Sequence, residues 1–202
     1  MVASGLLNQI FDNIYFIVIG RVFSPADLGY FTRAKLLAET PSQTLSVMTG
    51  RVTFPVFSSM QDDKERLSRA MRKALIALVM LTFPMMIGLA VTAKPLVLVL
   101  LTEKWAEAIP YLQLLSVLGM LFPLHLINLN ILQALGRSDY FLKLEIIKKV
   151  FIVINIFVTW QWGILAMIYG MIATSLFSFY LNSYYTKRLI GYSALEQIRD
   201  LS

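Results

Sequence analysis

The sequence contains no cysteine and one histidine, His125. Without cysteine there is no disulfide framework and no thiolate metal site, and a single imidazole excludes a His–His metal pair or a Cys–His dyad. Charge is scarce as well: 15% of the 202 residues are Asp, Glu, Lys or Arg, against roughly 25% in a soluble domain. No Gly-rich phosphate loop follows a strand-like segment and no H-E-x-x-H occurs. The chain is therefore read as a non-enzyme without a cofactor. The opening MVASGLLNQI has neither the basic n-region nor the clean apolar h-region of a secretory signal. Sustained period-two alternation is missing too, which argues against strands.

What is present is hydrophobic residue, 57% of the chain, gathered in runs near the ~20 residues that cross ~30 Å of hydrocarbon as a helix. Six segments meet that length: 5–22, 36–57, 74–93, 110–135, 141–160 and 163–185. The first turns of the fifth are amphipathic. The expected fold class is an all-α integral membrane protein of about six transmembrane helices. KPLVLVLLTEKW, between the third and fourth spans, holds too few apolar residues to cross. It predicts a short interfacial helix on the outer side, broken off by Pro95 and anchored by Trp105. The chain opens directly in helix-like sequence carrying Asn8, Gln9, Asp12 and Asn13, which reads as a chain entered midway and part of a longer protein.

A net charge of +6 in a soluble protein would suggest nucleic acid; in a membrane protein its distribution over the loops matters more. Lys64, Arg66, Arg69, Arg72 and Lys73 lie in 58–73, Arg137, Lys143, Lys148 and Lys149 in 136–149, and Lys187, Arg188 and Arg199 in 186–202. These are twelve of the eighteen basic residues, all on one side. Both chain ends are therefore expected in the cytoplasm, with 58–73 a basic helical loop and 186–202 a tail. The loop QDDKERLSRAMRK predicts a short solvated helix with Asp62/Arg66 and Glu65/Arg69 at i,i+4 spacing. Trp160 and Trp162 fall at the outer boundary and Tyr184 and Tyr185 at the inner one, as interfacial belts do.

Polar residues inside the spans are the candidates for function, because a charge at bilayer depth costs roughly 2.5–3.5 kcal/mol on insertion scales and usually faces protein or water. Asp12 and Asn13 come from the first span, Glu39, Gln43 and Arg51 from the second, and Gln113, His125, Asn128, Asn130 and Gln133 from the fourth. Arg51 stands in SVMTGRVTFPVF, ~10 Å from the cytoplasmic edge at 1.5 Å per residue. It has three readings: a snorkelling side chain, a partner for Asp12, or a receptor for an anionic group in a cavity. His125, Asn128 and Asn130 follow Pro123 and satisfy carbonyls freed by its kink, or contact a ligand. Ala166, Gly170, Thr174 and Ser178 form an i+4 stripe of small residues suited to close helix packing.

DNIYFIVIGRVFSPADLGYFTRAKLLAETP, RVTFPVFSSMQDDKERL, the segment from LLTEKWAEAIP to DYFLKLEIIKK, and LNSYYTKRLIGYSALEQIRDL arrive in order over nearly the whole chain. Together they resemble the second half of bacterial lipopolysaccharide and exopolysaccharide flippases, the O-antigen and colanic-acid type, of the multidrug/oligosaccharidyl-lipid/polysaccharide exporter superfamily. The resemblance implies one lobe (1–202) of a MATE-like flippase fold, matching spans seven to twelve of a larger inner-membrane transporter. Its implied partners are membrane lipid, a missing N-terminal lobe, and a polyprenyl-pyrophosphate-linked oligosaccharide moved between leaflets by alternating access; nucleic acid is not among them. It makes Arg51 the foremost candidate for the pyrophosphate, with Asp12, Asn13, His125 and Asn128 as further substrate-binding candidates. Three other readings remain open: a cation-coupled multidrug exporter, a membrane-embedded glycan polymerase or ligase, and a non-transporting scaffold. The outer segment near residues 93–109 is small for the catalytic loops of a polymerase or ligase.

Overall fold

The computed structural model describes Phe11 and residues 13–201, and among these every regular element is helical. In chain order they are α1 (Ile14–Val22), α2 (Pro25–Ser58), α3 (Lys64–Val91), α4 (Ala93–Leu101), a 3-10 turn (Glu103–Trp105), α5 (Ala108–Met120), α6 (Phe122–Ala134), α7 (Ser138–Thr159), a second 3-10 turn (Trp160–Trp162), α8 (Ile164–Ile190) and α9 (Ala194–Arg199). Three stretches are long and apolar enough to cross a membrane: α3, the α5–α6 pair and α8. The other two long helices carry more charge. α2 includes Arg33, Lys35, Glu39 and Arg51, and the first half of α7 includes Asp139, Lys143, Glu145, Lys148 and Lys149.

Local chemistry explains the boundaries. Ser24 caps α2: its hydroxyl accepts the Asp27 N–H at 3.1 Å, the Asp27 carboxylate takes the Ser24 N–H at 3.2 Å, and Pro25 occupies the first helical position. Asp63 caps α3 by accepting the Arg66 N–H at 2.9 Å. α8 stops at Gly191, whose φ of 79° is the left-handed conformation that glycine adopts without penalty. Ser193 and Glu196 then form a second capping box that starts α9.

Two apolar clusters hold the helices. One gathers Ile19, Phe31, Val97, Leu112 and Met167 from α1, α2, α4, α5 and α8. The other gathers Phe57, Leu67, Met71, Ile127 and Phe179, with Tyr192 beyond the end of α8. Between them in sequence sit buried hydroxyls, among them Ser42, Thr82, Ser116 and Thr174.

Several expectations change here. The short helix expected within 58–73 is not separate: residues from Lys64 on are the first turns of α3, joined to α2 by a brief turn. Glu65 and Arg69 pair at 3.6 Å, whereas among the described residues Asp62 forms no ion pair with Arg66, and Asp63 next to it serves as the cap. The expected 110–135 helix is divided at Leu121 into α5 and α6, with Pro123 in the first turn of α6. The expected tail is folded: Thr186–Ile190 belongs to α8, and α9 packs back under the bundle. The expected short helix is present as α4, but it begins at Ala93 and holds Pro95 in its first turn instead of being broken off there, and Trp105 packs edge-on against Tyr30 with centroids 5.7 Å apart and under the Arg33 guanidinium.

Candidate functional site

The outward face of α2 carries Arg33, Leu36, Thr40, Thr44, Val47 and Arg51, all exposed and spaced by three or four residues. They form one stripe that rises ~27 Å at 1.5 Å per residue, close to the depth of a bilayer. Beside it runs a polar line in which Glu39 is held by Lys35 at 3.8 Å and by the Gln43 amide at 3.2 Å, with Lys35 lying over the Phe16 ring. The outward face of α7 has a different character. Leu142, Ile146, Val150, Ile154 and Phe157 are exposed at similar spacing and all apolar. Lipid tails suit the α7 face; two guanidiniums and two hydroxyls along one stripe suit water or protein.

A buried polar seam lies between α6, α7 and α8. The Asn182 amide donates to His125 Nδ1 at 3.3 Å, which leaves the other ring nitrogen, Nε2, to donate to Ser175 Oγ at 2.7 Å. Asn128 and Gln197 exchange amide hydrogen bonds of 2.9 and 3.1 Å, and Gln197 also accepts from Ser183 at 3.4 Å. Asn155 of α7 donates to the Gly170 carbonyl at 2.6 Å and to Thr174 at 2.8 Å. At Gly170 a Cβ would run into the Asn155 amide, so a larger residue there displaces that side chain from its two partners. His125 further borders a cavity of about 370 Å³ with Tyr15, Lys148 and Thr174, where Lys148 pairs with Glu145 at 3.2 Å.

The candidate residues thus separate. Arg51 is exposed on α2 and, among the described residues, makes no ion pair or hydrogen bond. Asp12 lies outside the described residues, so its pairing with Arg51 is not observed. Asn13 stands just before α1, its carbonyl accepting from Ile17 at 3.0 Å. His125 and Asn128 share the buried seam, apart from the outward stripe that carries Arg51. Asn130 is taken by Thr53 of α2 at 3.2 Å. Proline at 123 frees the Gly119 carbonyl four residues back, and the group that satisfies it is Ser42 of α2 at 2.7 Å, not His125, Asn128 or Asn130. Sequence reading passed over Ser42, Asn155 and Gln197. Asn155 alone carried a signal, as the one polar residue in VFIVINIFV. No group of three His, Asp or Glu residues able to hold a metal occurs among the described residues.

Long apolar helices, an apolar outward face on α7 and a mixed one carrying two arginines on α2 define a membrane protein. A family model for polysaccharide biosynthesis proteins matches residues 1–110, more than half of the chain, and the chain belongs to that family. It is 31% identical over 148 residues to the lipopolysaccharide biosynthesis protein WzxC of Escherichia coli, covering 73% of this chain and 30% of that protein. It is 29% identical to the teichuronic acid biosynthesis protein TuaB of Bacillus subtilis, over 68% of this chain and 28% of the relative. It is 36% identical to the succinoglycan biosynthesis transport protein ExoT of Rhizobium meliloti, over 61% and 25% respectively. The match spans under a third of the length of each of these relatives. No solved structure matches.

Proposed function

We propose that this chain is the second lobe of a flippase that moves a polyprenyl-pyrophosphate-linked oligosaccharide across the bacterial inner membrane by alternating access. In this reading residues 1–202 make six crossings of a MATE-like fold, the missing first lobe faces α2, and residues 58–73 and 186–202 lie in the cytoplasm. The chain handles its substrate by binding and movement, without catalysis.

The observation that carries the reading is the outward stripe of α2. Arg51 and Arg33, with Thr40 and Thr44 between them, would line one wall of a water-filled cavity between lobes. An unpaired guanidinium there suits a pyrophosphate, which it can grip with two parallel charge-assisted hydrogen bonds. Asp12 and Asn13 stay with Arg51 as candidates for contact with the substrate, Asn13 at the residue before α1. His125 and Asn128 are better suited to holding α6 and α8 together than to touching substrate.

The test uses the complete gene. Delete it and determine which leaflet holds the polyprenyl-linked oligosaccharide, applying an impermeant glycan-modifying enzyme to sealed inverted and right-side-out vesicles. Accumulation in the cytoplasmic leaflet, reversed by the restored gene, is expected. An unchanged distribution would replace this reading with that of a multidrug exporter or a scaffold.

A further inference from the structure

α9 has two faces. Gln197 is fully buried, while Leu195 is 80% and Ile198 55% exposed. Where α8 turns at Gly191 into α9, a groove of about 480 Å³ is lined by Tyr180, Tyr184, Lys187, Arg188, Ser193 and Leu195, among others. No acidic residue lines it. Lys187 and Arg188 are exposed and, among the described residues, form no ion pair. The nearby acid is Glu196, whose carboxylate is occupied by the Ser193 N–H and hydroxyl at 2.7 Å each.

The groove on the other side of α9 provides a contrast within the same molecule. It measures about 430 Å³ and holds Arg69, Arg72 and Arg199, but opposite Glu196 and Asp200, with Arg72 and Asp200 joined as an ion pair. In that groove carboxylates face the guanidiniums; in the α8–α9 groove no carboxylate lines the wall. An aromatic and cationic row extends from the α8–α9 groove: Tyr184 stands edge-on to Tyr185, Tyr185 packs on Tyr140 at 4.8 Å, and the Arg137 guanidinium lies 3.9 Å over Tyr140.

We infer that the α8–α9 groove binds the headgroup of an anionic phospholipid of the surrounding bilayer, with Lys187 and Arg188 on the phosphate and Leu195 and Ile198 in the acyl boundary. Tyrosine rings, two exposed cations and, on the short helix after them, exposed aliphatic side chains are the composition that rests at a headgroup layer, where cations are drawn to an anionic surface. The inference requires only that the protein sit in a membrane, so it holds whether or not the protein moves a lipid-linked sugar.

The experiment is native mass spectrometry of the purified full-length protein in detergent with equal amounts of phosphatidylglycerol and phosphatidylcholine. The wild type is expected to retain phosphatidylglycerol preferentially. K187Q/R188Q should lose about tenfold of that preference, while K64Q/R66Q, which removes equal charge from the exposed start of α3, should keep it. Equal retention of the two lipids, or equal loss in both variants, would overturn the site. Displacement of the lipid by millimolar inorganic phosphate would overturn the headgroup assignment in favour of a free-anion site.

Discussion

Asn128 and Gln197 are 69 positions apart and both fully buried, and each supplies the other's missing donor and acceptor. Removing the Asn128 amide leaves Gln197 only its longer contacts, with Ser183 at 3.4 Å and the Tyr192 carbonyl at 3.5 Å, in an apolar surrounding, which costs about 1–3 kcal/mol. Asn128→Leu is therefore expected to lower the melting temperature of the purified protein by several degrees, and Asn128→Leu with Gln197→Leu to recover most of the loss. A double variant no more stable than the single one would contradict the pairing. Tyr192 is a second test of the docked tail. Burial, and then its 2.7 Å hydrogen bond to Asp200, hold its phenol above the ordinary value. A raised value means the folded state keeps the proton after the unfolded chain has released it. The stability this confers is complete below about pH 10 and is lost as pH climbs towards the folded value. Between pH 9 and pH 11 the wild type should lose more thermal stability than Tyr192→Phe. Arg51 belongs at this scale too: Arg51→Ala should abolish polysaccharide export in a complementation assay while the protein remains in the membrane fraction.

At the scale of elements, α7 and α8 meet where Asn155 reaches into the small-residue stripe. Gly170→Leu would place a side chain in the Asn155 amide and break both of its hydrogen bonds, at a cost of about 1–3 kcal/mol. The expected outcome is a lower melting temperature for Gly170→Leu and a smaller drop for Asn155→Ala, read by thermal unfolding in detergent. Much of this element structure was legible beforehand. The apolar runs announce α3, α5–α6 and α8, and the i+4 spacing of Gly170, Thr174 and Ser178 announces a packing face; the cap at Ser24–Asp27 was not read, and the second span, expected from residue 36, begins at Pro25. What was not legible depends on long-range contact. The polar turns from Lys64 to Lys73 run without a breaking residue into the apolar stretch that follows, so the separate helix expected before the third span became its beginning. Ser42 takes the carbonyl freed by Pro123 because α2 passes beside α5, and no local pattern marks one serine among the hydroxyls of α2. Gln197 lies in a polar, tail-like segment whose burial follows from the turn at Gly191.

Across the whole molecule the division between lipid and water is written on two outward helix faces. Composition identified a membrane protein, but the hydropathy of α2 averages its buried, apolar and charged faces together. Only the placement of Arg33, Thr40, Thr44 and Arg51 on one exposed stripe, against an unbroken apolar stripe on α7, distinguishes the two outward faces, and the proposed cavity wall rests on that contrast. The absence of native cysteine makes this directly measurable. Single cysteines at Thr40, Thr44 and Arg51 of α2 and at Ile146, Val150 and Ile154 of α7, in the protein in sealed vesicles, would be challenged with a small charged, membrane-impermeant maleimide from either side. A water-lined wall requires that the α2 positions react and the α7 positions stay protected. Equal protection of both sets would contradict the cavity wall and leave Arg51 as a snorkelling surface residue.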